Sequence, residues 1–358
     1  MIDTMTIGKD LSKSRYDNLY IIYKEASESK GQRLRPDRNS PGRFVTTFLS
    51  EKGFLEIVFL RKKLEKGFIS QKMIIKLKPK LLIDPTNYSD VSYYYEIQSI
   101  RKAFNEEIRK LSYDLPDFLD WNCIRVDYAI TIWSEFVPEY IKLMKMGDVG
   151  EVFRKSADDF YFSEGSVYLK SESDDIRINF YNKLHELTSN AHSRGSLDNY
   201  IKATNKLRLE VQCNNQKLLN IKKKYGLDSK TVKDIWRLDI CRDTITDYFK
   251  MIAGTQDYYK LGKAEKIMMK NEQSLAYRPD ELLYILCFIA KSGSVWKALK
   301  SFEKGKNAFE KRIRDLRKLG INPTLIPDEW KSKKMPNLFQ TIQEYFDRIE
   351  TGRVKIVE

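Results

Sequence analysis

Histidine is nearly missing from this sequence. His185 and His192 are the only two in 358 residues, and they stand seven apart, which excludes a paired His-x-His metal site. Cysteine is scarce as well. Cys123, Cys213, Cys241 and Cys287 lie far apart with no CxxC pair, which argues against a zinc ribbon. All four sit in apolar or mixed stretches and read as core thiols of a reducing compartment. No apolar run is long enough to span a bilayer; LLYILCFIA at 282–290 is among the longest. Met1 is followed by IDTMTIGKD, without the apolar core of a secretory signal, so a cytoplasmic protein is expected. Internal repeats and low-complexity segments are absent too.

Acidic charge is in deficit. Lys and Arg number 64 against 50 Asp and Glu, a formal net charge of +14. Such an excess suggests a polyanionic partner, nucleic acid first and an anionic membrane second, although a merely soluble basic protein has the same balance. What is present is ample for folding: the chain is 42% hydrophobic and 12% aromatic, with length enough for two domains and a sizeable core.

Residues 1–95 read as strands: IDTMTI, LYIIYKE, RFVTTFLS, FLEIVFLR and KMIIKLKPKLLI are short and rich in β-branched or aromatic residues. Between the second and third lies the loop KGQRLRPDRNSPGR, whose Arg33 and Arg35 are candidates to touch phosphates. Residues 93–111 carry helical spacing through Ile97, Ile100, Phe104, Ile108 and Leu111. A strand at 123–133, a helix at 136–146, a hairpin at 166–183 closed by SESDD, and a strand at 206–213 come next. From about 216 the pattern is helical. RPDELLYILCFIAKSG, the SGS break, VWKALKSF and a basic helix resemble a helix-turn-helix layout. The expected architecture is α+β: a mostly antiparallel central sheet with flanking helices over 1–226, then a helical region over 227–358 for DNA binding or assembly.

Three strands share one pattern. In 124–131, Ile124, Val126, Tyr128 and Ile130 alternate with Arg125, Asp127, Ala129 and Thr131. In 207–213, Leu207, Leu209, Val211 and Cys213 alternate with Arg208, Glu210 and Gln212. In 176–183, Ile176, Ile178 and Phe180 alternate with Arg177, Asn179, Tyr181 and Lys183. Each strand buries one side and presents charge on the other. If they pair in one sheet, Asp127, Glu210 and Tyr181 converge. Glu186 joins them if the chain bends after Lys183. Gathered carboxylates suit a hard divalent ion such as Mg²⁺ or Mn²⁺, which polarises a phosphodiester oxygen. A tyrosine beside them is a candidate nucleophile, and Lys183 can neutralise phosphate charge. The same spacing also fits plain cross-strand ion pairs, Arg125–Asp127 and Arg208–Glu210, and both readings stand on spacing alone.

The ordered set of segments resembles a known family. MIDT, KLKPKLLI, IRVDYAI, FYNKLHEL, and LRLEV followed by a helix ending KYGL are similar, in order and spacing from residue 1 to about 226, to the gene II/X type replication initiators of filamentous phages. The plasmid rolling-circle initiators that lack the histidine pair resemble it more loosely. The resemblance implies a site-specific, single-strand DNA endonuclease and ligase that nicks an origin and stays joined to the 5′ phosphate through tyrosine. It places the nucleophile on Tyr181, the adjacent lysine on Lys183, and the metal-binding acids on Asp127, Glu210 and Glu186, with Mg²⁺ or Mn²⁺ as cofactor. Arg125, Arg177 and Arg208, with Arg33 and Arg35, are the candidate DNA contacts.

The expected partners are single-stranded or extruded origin DNA, a host helicase and polymerase, and a second copy of the chain; no membrane is expected. The location implied is the cytoplasm of a bacterial host. Alternatives are a relaxase of a mobile element with the same chemistry, a non-catalytic DNA-binding regulator, and an RNA-binding module. The last rests on VSYYYE at 91–96. Tyr168 and Tyr161 are candidates for a second tyrosine.

Overall fold

The computed structural model describes residues 1–64, 68–154, 165–189 and 197–352. Its centre is a nine-stranded, wholly antiparallel sheet, so the chain is α+β with flanking helices and a helical C-terminal part. The strands are β1 (Ile2–Asp10), β2 (Arg35–Pro36), β3 (Arg43–Thr46), β4 (Phe54–Lys63), β5 (Ile69–Leu77), β6 (Asn122–Trp133), β7 (Ser166–Lys170), β8 (Ile176–Asn182) and β9 (Lys206–Cys213). Their order across the sheet is β2-β3-β4-β5-β1-β6-β9-β8-β7. The three strands singled out by their alternation, β6, β9 and β8, are consecutive.

One face of the sheet is apolar and carries the main helices. Helix Lys13–Glu28 buries Tyr16, Leu19 and Tyr23, and two of these rings meet Phe59 of β4 edge-on at 5.7 and 5.4 Å. This helix corrects the strand expected at LYIIYKE. A short run rich in Tyr and Ile does not separate strand from helix by composition. The buried positions step by three and four, and Ile21 points outward, 52% exposed. The expected strand KMIIKLKPKLLI is also divided: β5 stops at Leu77, and Pro79 opens a short helix, Pro79–Ile83, where its missing N–H costs nothing.

Two irregularities set the charged face. Ile2 stands opposite Tyr128 and Met5 opposite Val126, so Asp3 and Thr4 together face the single Asp127. Thr6 stands opposite Arg125 and Ile7 opposite Cys123, so Ile124 is an extra residue on β6. The alternation assigns Ile124 to the apolar side. In the structure Cys123 takes that place, fully buried, while Ile124 leans against Gly8, where an added Cβ would lie 2.6 Å from its Cδ1.

Two helices beyond residue 226 pack on the sheet with the residues before it. Helix Leu238–Ala253 packs Ile240, Ile245 and Phe249 into the sheet's core, and Tyr128 Oη donates to the Ile235 carbonyl at 3.0 Å. Helix Leu338–Glu350 joins the same core through Ile342 and Phe346. A second core, including Met268, Leu282, Ile285, Leu286, Phe309 and Leu316, belongs to the helices between residues 259 and 325.

Candidate active site

β9 organises the polar face. Its Arg208 stands opposite Thr131 of β6 and Tyr181 of β8. Glu210 stands opposite Ala129 and Asn179, and Gln212 opposite Asp127 and Arg177. Residues opposed in an antiparallel ladder share a face, so Asp127, Glu210 and Tyr181 lie on one side of the sheet. The Tyr181 hydroxyl donates to Glu210 Oε2 at 3.2 Å. Tyr181 is only 6% exposed, and burial together with the neighbouring Glu210 charge pushes its phenol well above the usual value.

The carboxylates differ in their surroundings. Burial, followed by the charges of Asp127 and Asp3, pushes Glu210 up to about 8, against the pull of Arg208 and Lys183. Burial pushes Asp127 up to about 6, although Arg125 grips it with two hydrogen bonds of 2.7 and 2.5 Å. Burial would raise Asp3 too, but Lys78 at 3.6 Å and Arg208 at 2.7 Å hold it well below the usual carboxylate range. The site is thus a buried charge network, not a row of surface pairs.

Each sequence candidate has a definite place. Lys183 is not the last strand residue, as alternation suggests. It opens helix Lys183–Ser189, and the bend begins there. Its side chain is buried, with the ammonium 5.7 Å from the centre of the Tyr181 ring. Burial, then Arg208 and Lys78, lower its pKa. Glu186 lies one turn along that helix and accepts from Lys183 Nζ at 2.8 Å, so its carboxylate is engaged there. Arg125 forms the expected pair with Asp127.

The other expected pair, Arg208–Glu210, does not form. Arg208 is fully buried and donates to Asp3 and to the Ser89 carbonyl, which corrects its assignment as a DNA contact. Arg177 pairs with Asp174 at 2.6 and 2.7 Å. Arg33 and Arg35 are exposed beside the β2 edge. That edge is six strand steps from β9, about 30 Å at roughly 4.8 Å per step. They therefore lie far from Tyr181 along the sheet. Tyr168 stands opposite Asn179 on the polar side; Tyr161 and His192 lie outside the described residues.

Alternation does not single out Asp3. Its trace in the sequence is the spacing of three between Ile2 and Met5, which breaks the period of two and marks the bulge. Asn179, Gln212 and Thr131 fall on the polar face by alternation, which gives them no task. Among the described residues, nothing hydrogen-bonds to Asn179 Oδ1, Gln212 Oε1 or Thr131 Oγ1, although all three atoms are buried.

These orphaned oxygens bear on the expected metal. Asp127, Glu210, Asn179 and Gln212 offer the all-oxygen donors that a hard divalent ion takes, and two of the four are amide oxygens without a hydrogen bond. By donor type the four fit such an ion once Asp127 leaves Arg125; Glu186, paired with Lys183, stands on the next helix and would have to leave that pair to join them. Among the described residues, no three His, Cys, Asp or Glu side chains gather closely enough to hold an ion. Any such site is completed by the amides.

No protein family matches this chain by sequence, and no curated protein matches it. Among the described residues, no single helix is long and apolar enough to cross a membrane.

Proposed function

We propose that this protein is a DNA nicking–closing enzyme of the rolling-circle initiator kind, with Tyr181 as its nucleophile. The observation that carries the proposal is the Tyr181–Glu210 hydrogen bond on the charged face of a strongly basic protein. A general base must lie within hydrogen-bond reach of the proton it takes, with a pKa near the working pH. Glu210, pushed up to about 8, meets both demands.

In the proposed step the Tyr181 oxygen bonds to phosphorus and its proton passes to Glu210. The bond from phosphorus to the 3′ oxygen breaks, and that oxygen leaves as a 3′-hydroxyl after taking a proton. Lys183, buried beside Tyr181 with a lowered pKa, faces the developing negative charge and is placed to supply that proton. The 5′ phosphate stays on Tyr181, and the reverse step rejoins the strand. Asp127, Glu210, Asn179 and Gln212 would hold Mg²⁺ or Mn²⁺, which when bound supplies polarisation of a phosphate oxygen. Arg33 and Arg35 hold the strand further along, with affinity that falls as salt rises.

The test is incubation with a pool of labelled single-stranded oligonucleotides and Mn²⁺, followed by mass spectrometry of the adduct. Wild type gives a nucleotide on the peptide containing Tyr181, and Tyr181→Phe gives none. An adduct that persists in Tyr181→Phe removes Tyr181 as the nucleophile. A relaxase would behave identically in this assay.

The rival of another class is a non-catalytic DNA-binding regulator. One observation favours it: Asp127 is already gripped by Arg125. It predicts no adduct from any oligonucleotide and unchanged DNA binding in Asp127→Asn.

A further inference from the structure

The polar sheet face does not account for the chain's charge. Residues 259–325 hold fifteen Lys and Arg against seven Asp and Glu, an excess of eight out of +14 for the whole chain. These residues build the second core, so the excess sits on a unit with its own interior. We infer that this helical unit is a grip for duplex DNA, with the outer face of helix Lys306–Lys318 laid along the phosphate backbone. That partner rests on the reading of the chain as a DNA-acting protein.

Three of the helix's six cations form one exposed stripe. Lys311, Arg314 and Lys318 are exposed at spacings of three and four, while Phe309, Arg312, Ile313 and Leu316 face inward. Lys318 is tethered to Asp315 at 2.8 Å. Lys311 and Arg314 have no acidic partner among the described residues. From Lys311 to Lys318 the rise is about 10 Å, which matches the mouth of a major groove about 12 Å wide. The depression these three line holds a single ring, Tyr277, and Arg312 already covers it at 4.2 Å. Single-stranded DNA asks for open rings on which bases stack, and this face offers none.

The elbow before it has the angle of a helix-turn-helix without that motif's reading helix. Helices Pro279–Ser292 and Val295–Ser301 meet at 105° across Gly293 and Ser294, within the range of a helix-turn-helix. In that motif the helix after the elbow enters the groove. Here it is seven residues long and its Val295, Trp296 and Ala298 are buried. The outward helix is the next one, 13 residues and about 20 Å long.

The experiment is fluorescence anisotropy of the full chain with fluorescein-labelled, random-sequence duplex DNA across a salt series. Lys311→Ala with Arg314→Ala should weaken binding about tenfold and reduce the slope of log affinity against log salt by about 2, as two phosphate contacts require. Lys311→Arg with Arg314→Lys should retain both. Both sites are exposed, and an unchanged thermal melt shows that the fold is kept. Unchanged affinity and slope in the alanine pair overturn the inference. So does tighter binding of single-stranded DNA or RNA that is lost in the same measure. Adduct formation at Tyr181 is read separately: if it fails while the duplex slope still drops, the grip stands and the nicking reading falls.

Discussion

Tyr181 and Glu210 sit on neighbouring strands, diagonal across one step of the β8–β9 ladder, with the phenol donating to the carboxylate at 3.2 Å. Diagonal neighbours in a sheet are within reach of a long aromatic side chain. This pair and the charges around it set how the protein should respond to pH and to substitution.

Glu210→Gln keeps the shape and removes the base. Adduct formation should slow at least about 100-fold. In wild type the rate should climb with pH as Glu210 loses its proton, and in the variant that climb should vanish. Stability runs the other way. A carboxyl whose pKa is raised on folding binds more protons folded than unfolded, so its contribution falls as pH rises between about 4.5 and 8. Urea unfolding should show Glu210→Gln gaining on wild type through that window. A constant difference would mean that Glu210 is not strained by burial.

Arg208 is a candidate DNA contact by sequence and an interior residue in the structure. Asp3→Asn leaves its guanidinium buried and without a carboxylate, a loss of about 3–5 kcal/mol. Chemical denaturation measures it. The salt dependence of DNA binding by the folded variant should equal that of wild type, since Arg208 meets no phosphate.

The oxygen donors can be separated by their metal requirement. Asp127→Asn and Asn179→Ala should both raise the Mn²⁺ concentration needed for adduct formation. Glu186→Gln should leave that concentration unchanged and lower the rate, because Lys183 loses the carboxylate that holds its ammonium in place and charged. A raised Mn²⁺ requirement in Glu186→Gln would return Glu186 to the metal.

The bulge on β6 depends on a bare backbone at residue 8. Gly8→Ala sets a methyl group against Ile124 Cδ1, the far end of a half-buried side chain that can turn aside, so the loss should stay at about 1 kcal/mol. Ile124→Val removes that atom, so the double variant should regain most of the loss in a thermal melt. Additive losses would refute the packing.

Much of the sheet is legible in the sequence. Period-two alternation locates β6, β8 and β9 and the face each buries, and that suffices to bring Tyr181 toward Glu210. Alternation reports the face of a strand but not its depth. Ser89 lies far from Arg208 in sequence, and nothing in either segment reveals that its carbonyl covers the guanidinium. Helix Lys13–Glu28 is hidden because Tyr20, Ile21 and Ile22 fill the positions between Leu19 and Tyr23, masking the helical step. Alternation misplaces Lys183 because a helix begins there without a break in the polar pattern.

The extra residue near the start of β1 has a consequence for chain length. Asp3 and Thr4 share the space opposite Asp127. Removing Thr4 would leave a regular ladder with both apolar neighbours still correctly turned, but it would set two acids directly across from each other. Arg208 would then lose the offset anion that neutralises it. Along this stretch the number of residues is as tightly prescribed as their identity, and a one-residue gap there rewires the charges beneath the tyrosine.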